Sequence, residues 1–320
     1  MKGMKSKFFA GALQHVYKIT NDYGILFYRI EDRLMMFTIQ SVMARKHNIR
    51  VVAASYMFTH MHEGIVANDK CQLDAYERDC MNIYVRTYNS DVNRKGKMFK
   101  TPYGLSSKVS DKDRRHCCLY ILNNHVEKKL AVTAIQSRWD FIAYHNNPNP
   151  FSNPLIKRNA SYYLRESCLI VDHEYNSGRY LRSAMLRGMM KKIKNSAERE
   201  QLVDYIITKY MFIDFDYCIN MFGSFDKLVL ATDSVTGYDY DIGENYNRYP
   251  DTPYSEMIAA AEKDGLLGSE MAIYKLSEPE MERYANRYHR ITSASKHHLD
   301  AFFRRPVSSL DIGLPMLNNK

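Results

Sequence analysis

The sequence predicts an α+β chain: a ferredoxin-like split βαβ core with an antiparallel sheet, followed by a mostly helical C-terminal domain. Three observations carry that expectation. Before residue 146, short runs rich in Val, Ile and Tyr alternate with longer runs of helical period, in the order β-α-β-β-α-β-α. A breaker, Asn146-Asn147-Pro148-Asn149-Pro150-Phe151-Ser152-Asn153-Pro154, then interrupts the pattern. Beyond it, apolar residues recur mainly at helical spacing. The expected division is a domain over 1–146, a linker over 147–154 and an accessory domain over 155–320.

Each element has its own signal. Residues 10–20 are short and partly alternating, so they read as the first strand. Glu31 to His47 places Leu34, Met35, Phe37, Thr38, Val42 and Met43 at helical spacing. Ile49 to Phe58 is a β-branched and aromatic run, Thr59 breaks it, and His60 to Ala67 returns as a second strand of the hairpin. Asn68-Asp69 caps a helix over 70–89. Tyr103 to Val109 reads as the fourth strand. Ser110-Asp111-Lys112-Asp113 starts a helix that runs to about Lys129, with a capping hydroxyl and acid in its first turn. Further helices are expected at 159–172, 178–193, 196–211, 215–222, 254–264, 278–288 and 294–303. The acidic, tyrosine-rich stretch 233–254 reads as a surface loop, and the tail after Pro306 as loose.

Composition narrows the class of protein. The 320 residues suit about two domains, and 45% hydrophobic with 25% charged residues excludes wholesale disorder. The longest apolar runs are too short for a transmembrane helix, and the basic start with its short apolar patch is too weak for a secretory signal. Six cysteines without a C-x-x-C pair read as reduced thiols, hence a cytoplasmic location, nucleoid-associated if the partner is DNA. A net charge of +9 favours a polyanionic partner. That charge is concentrated. Residues 93–115 hold Arg94, Lys95, Lys97, Lys100, Lys108, Lys112, Arg114 and Arg115 against two acids, a local charge of +6. A charge run of this kind is ordinarily a solvated face, but here it leads into the 110–129 helix, where phosphate contacts are expected if the partner is DNA.

Two constellations can carry chemistry. His60 and His62 alternate on a predicted strand, so they face one side and Met61 the other; two imidazoles on one face can share a divalent metal. Strand alternation turns Glu63 away from them. Tyr120 and Asn124 lie four apart on a predicted helix and share a face. Taken singly, a tyrosine on an apolar helix is ordinarily core, and a His pair at a strand end is ordinarily hydrogen-bonded to loop groups.

Together these residues resemble the REP-associated tyrosine transposases and the related single-tyrosine insertion-sequence transposases, which are histidine-hydrophobic-histidine endonucleases. The resemblance spans residues 12–145. Gln14-His15-Val16 resembles the family's opening strand. Tyr56-Met57-Phe58-Thr59-His60-Met61-His62 resembles its Y-x-M-P-N-H-V-H signature. Tyr84-Val85-Arg86-Thr87-Tyr88-Asn89 with Lys95-Gly96-Lys97-Met98-Phe99 resembles the next segment. Leu119-Tyr120-Ile121-Leu122-Asn123-Asn124-His125-Val126 resembles R-Y-I-x-x-N-P-V, and Ser137-Arg138-Trp139-Asp140-Phe141 the stretch that closes the domain. The chain departs in having Phe58-Thr59 for the family's Pro-Asn, and His125 for its Pro.

The resemblance implies a metal-dependent enzyme that cleaves and rejoins single-stranded or hairpin DNA. His60, His62 and Asn124 would hold Mg²⁺ or Mn²⁺, and Tyr120 would attack the phosphorus, leaving a 5′-phosphotyrosine and a free 3′-OH. A phenol ordinarily titrates near 10 and needs help from a cation; Lys112, Arg115 and Lys128 are candidates. Relatives act as monomers or as homodimers, and both arrangements stay open. Two other classes compete: a domesticated protein that binds DNA hairpins without cutting, and an unrelated hydrolase using the histidine pair. In the C-terminal stretch, 281–305 resembles a helix-turn-helix with Lys296, His297, His298, Arg304 and Arg305 on its second helix. Asp214 and Asp216 read either as a metal pair or, more simply, as caps and salt-bridge partners.

Overall fold

Alternation decides which side chains meet across the sheet. The computed structural model describes residues 7–21, 24–100, 103–233, 250–268, 270–308 and 310. Strands β1 (Leu13–Ile19), β2 (Arg50–Tyr56), β3 (His60–Val66) and β4 (Gly104–Lys108) form one antiparallel sheet in the order β2-β3-β1-β4. Helix α1 (Ile30–Lys46) connects β1 to β2, and α2 (Lys70–Asp91) connects β3 to β4. This is the split βαβ arrangement the sequence predicts.

One face of the sheet carries Lys18 and Glu63 toward α2. Lys18 donates to Glu63, and its Nζ lies 2.9 Å from Oε2 of Glu77. Tyr76 donates its hydroxyl to Glu63 Oε1 at 3.0 Å. All three charged groups are fully buried. On the same face Tyr56 donates to Gln40 of α1. Glu63 therefore points away from His62, as strand alternation requires.

The opposite face carries His15, Tyr17, Ser55, His60 and His62, and α3 (Asp111–Glu127) covers it. Two glycines make that packing possible. A Cβ at Gly64 would press on Ile121 of α3, and one at Gly104 would collide with the ring of Tyr17 across the sheet. Helix α3 starts as predicted, with Ser110 Oγ accepting the Asp113 N–H at 3.1 Å. Its nine residues from Cys117 to His125 are all buried, because α7 (Phe215–Phe222) and α8 (Phe225–Asp233) pack on its other side. A helix enclosed on all sides needs no amphipathic stripe, which is why its periodicity is weak. This chain has His125 where the resembled family has Pro, and α3 stops by hydrogen bonding. Leu130 N donates to the His125 carbonyl at 2.8 Å and Lys129 N to the Val126 carbonyl at 2.9 Å, with Lys129 at φ 59°.

Every strand among the described residues precedes Val109, and after three short 3₁₀ turns (134–136, 138–140, 142–144) the chain is helical. Helices α4 (Tyr162–Asn176), α5 (Ser183–Lys192), α6 (Ser196–Lys209), α9 (Thr252–Lys263), α10 (Glu278–Ile291) and α11 (Lys296–Phe303) complete it. They pack directly on the N-terminal part. α5 and α6 lie against α1, α7 lies against β2, and Ile213 bridges to Val51. Phe302 O accepts the Tyr28 hydroxyl at 2.5 Å, and Arg304 donates to the Ile25 carbonyl at 3.0 Å. Helix α8 is an element the sequence reading does not assign. Of the predicted acidic loop, residues 234–249 lie outside the described residues, as do residues 311–320 of the tail. Asp214 pairs with Arg50 at 2.6 Å, the simpler of its two readings.

Candidate active site

The β3 histidines sit on the sheet face beneath α3. Their ring centroids are 5.0 Å apart at 85°. His60 is half-buried at the start of the strand, where Met57 N donates to the His60 carbonyl and closes the β2–β3 turn. Thr59, which stands where the resembled family has Asn, places its hydroxyl 3.0 Å from Nδ1 of His60. His62 is fully buried, with Nδ1 3.0 Å from Nε2 of His15 on β1. Each ring thus has a polar contact at Nδ1. His15 is a residue the sequence reading passed over as part of the opening strand. Its signal was available: it alternates with Tyr17 on a strand that pairs with the His60-Met61-His62 segment.

Tyr120 lies over this group. Its ring centroid is 5.4 Å from that of His62 and 5.5 Å from that of His15, edge-on to both. The tyrosine is 8% exposed. Asn124, one turn further along α3, donates Nδ2 to the Tyr120 carbonyl at 3.0 Å. That bond uses the amide's donor end and leaves its oxygen to act as an acceptor. His125 is turned toward β2, with Nδ1 3.3 Å from Ser55 Oγ and Nε2 3.2 Å from the Tyr56 carbonyl. Burial, with Arg33 adding to it, pushes the His125 imidazole down to about 3, so it is neutral at physiological pH.

Two imidazoles and an amide oxygen suit a divalent ion at ease with mixed nitrogen and oxygen donors, Mn²⁺ more so than Mg²⁺. The Nδ1 contacts from Thr59 and His15 are the supporting bonds such ligands need. Among the described residues, no three His, Cys, Asp or Glu side chains are grouped to hold a metal.

The predicted phosphate-contacting residues divide by position. Lys95, Lys97, Lys100 and Arg115 are exposed. Lys100 N donates to the Ile19 carbonyl, and Ile19 pairs with His60, so this loop borders the histidine end of the sheet. Arg94 is drawn inward, donating to Asn89 and to the carbonyls of Gly96 and Lys97. Arg114 spends its guanidinium on the Val109 carbonyl. Lys108 is 2% exposed, so it is turned into the protein rather than toward a backbone in solvent. In α10–α11 the predicted helix pair forms, but His298 bonds the Pro250 carbonyl, and Arg304 and Arg305 bond the carbonyls of Ile25 and Leu276. Lys296 and His297 are exposed.

No family model matches the chain, and no curated protein matches it. Among solved structures it is similar to a REP-associated tyrosine transposase bound to a REP hairpin. Identity is 13%, the TM-score is 0.35, and the overlap covers 43% of this chain and 81% of that one. Among the described residues, no helix is long and apolar enough to cross a membrane.

Proposed function

We propose that this chain is a metal-dependent single-stranded DNA endonuclease and transposase that works through a phosphotyrosine. The supporting observation is the position of Tyr120, 5.4 Å from His62, whose own partner His60 is 5.0 Å away, all within one chain. In this reading the Tyr120 oxygen bonds to the scissile phosphorus and the strand's 3′-oxygen leaves as a hydroxyl. The 5′-phosphate stays on Tyr120, so the bond energy is kept for rejoining by another 3′-OH. His60, His62 and Asn124 would hold Mg²⁺ or Mn²⁺, which would supply polarisation of the phosphate. Thr59 and His15 fix the two rings. Lys95, Lys97 and Lys100 draw the strand to that edge of the sheet, and Arg115, exposed near the start of α3, offers a further phosphate contact. Since Tyr120 and the histidines belong to one chain, no second copy is required.

The test is incubation with labelled single-stranded and hairpin DNA plus Mn²⁺ or Mg²⁺, resolved on a denaturing gel. A covalent adduct is the expected product. DNA retained without any adduct, across substrates and both metals, favours the non-cleaving, hairpin-binding reading. The observation on that side is the deep burial of Tyr120, which is how a tyrosine kept only for packing also sits. Thr59→Val removes the hydroxyl on His60 at nearly constant volume. It is expected to lower metal affinity or metal-dependent cleavage by about 10–100-fold, the usual cost of losing a ligand's supporting bond. A metal titration of cleavage by the variant that matches the wild type would show that the hydroxyl does not orient His60.

A further inference from the structure

Beside the histidine site, a cavity of about 420 Å³ opens between the β2–β3 turn, the end of α3 and the 3₁₀ stretch. Arg33, Phe58, His125, Trp139, Phe151 and Ser255 are among the residues that line it. The Arg33 guanidinium lies 4.5 Å from the ring centre of Phe58, 5.2 Å from that of Trp139 and 5.7 Å from that of Phe27. Its Nε is buried without a hydrogen-bond partner. Among the described residues it forms no ion pair, because the adjacent Asp32 is engaged by Arg29 at 2.9 Å. Burial lowers the Arg33 guanidinium to about 10, which still leaves it charged at neutral pH. Asp32 and Asp251 attract the guanidinium only at longer range, so an anion entering the cavity would supply the direct partner that it lacks. The other cavity arginine, Arg138, is already neutralised by Glu200 at 2.6 Å and Asp204 at 3.2 Å. The cavity thus offers a guanidinium without a direct ion-pair partner beside aromatic rings, which suits a phosphate attached to a planar base.

We propose that this cavity is a nucleotide subsite that takes one nucleotide of the DNA strand, its phosphate on Arg33 and its base against Trp139, Phe58 and Phe151. The assignment to a DNA strand rests on the proposed function. The subsite shares its walls with the active site: Phe58 is in the turn before His60, and His125 follows Asn124. A neutral His125 adds no competing charge.

Trp139 is the chain's single tryptophan, so its emission reports on the cavity alone. The full chain is titrated with short single-stranded oligonucleotides, a deoxynucleoside monophosphate, the matching deoxynucleoside and inorganic phosphate. Saturable quenching by the oligonucleotide and the monophosphate is expected, with nucleoside and phosphate each at least about tenfold weaker. Arg33→Met is expected to weaken the monophosphate by about tenfold or more, the worth of one charge-assisted bond. Should Arg33→Met fail to fold, Ser255→Tyr at the exposed mouth is expected to weaken quenching without disturbing the core. Unchanged emission at DNA concentrations that give cleavage or gel retention would overturn the subsite, as would inorganic phosphate quenching as well as the nucleotide. The two readings fail separately. Quenching without cleavage sinks the nuclease and keeps the subsite; cleavage without quenching does the reverse, and Tyr120→Phe should leave quenching intact.

Discussion

Tyr120→Phe is expected to abolish the covalent protein–DNA adduct and to reduce strand cleavage by about 10³-fold or more, the scale seen when a covalent catalyst loses its nucleophile. The substitution deletes one oxygen and keeps the ring that packs 5.4 Å from His62 and 5.5 Å from His15. Stability and DNA retention should therefore change little, since α3 remains enclosed. That separation is what makes the experiment decisive. A variant that still forms an adduct would move the nucleophile elsewhere and dismantle the proposed mechanism. A variant that loses DNA retention along with the adduct would show that the tyrosine acts in binding.

The second large effect lies on the other face of the sheet. Lys18→Met leaves Glu63 and Glu77 facing one another in the interior without a cation, and a loss of about 3–5 kcal/mol is expected from urea unfolding at pH 7. Adding Glu63→Gln to it should recover much of the loss. A loss under about 1 kcal/mol for Lys18→Met would mean that water reaches the cluster. The pH dependence has a definite sign. Burial raises the Glu77 carboxyl from 4.5 to about 8, with Lys18 pulling against the rise. Its folded value is above its unfolded one, so its contribution is fully present below about pH 4.5 and is lost as pH rises through 8. Glu77→Gln should flatten the fall in stability over that window. An unchanged slope would assign the dependence to another group.

Much of this was legible in the chain because period and alternation are strong local signals. The hairpin before His60, the cap at Ser110 and the turning of Glu63 away from His62 all follow from local spacing. What was not legible depends on partners distant in sequence. Lys108 reads as one more cation in a basic run, yet its register opposite Leu13 places it inside. His15 gains meaning only when β1 is laid beside β3, so that its ring reaches His62. Arg304 and Arg305 look like the basic end of a recognition helix until their carbonyl partners, hundreds of residues earlier for Arg304, are known. The end of α3 near Lys129 was expected, but not its form, because a left-handed Lys129 carries none of the usual Gly or Pro signature.

The bond from Tyr28 to the Phe302 carbonyl has a bearing on how the chain is made. Its two ends are 274 residues apart, and those of the neighbouring Arg304–Ile25 bond 279. At a synthesis rate of about 5–20 residues per second, on the order of 15–60 s separate the appearance of one end from that of the other. During that interval the segment between β1 and α1 has emerged without the helix that will cover it. The sheet can assemble early, but closure over residues 24–28 waits for α11, so the nascent chain spends that time with an unfilled apolar seam. Contacts this distant in sequence also slow the final step, since the ends must find one another across almost the whole polymer. Late assembly, rather than the sheet itself, is then the stage at which a chaperone or a premature encounter with another chain would matter most.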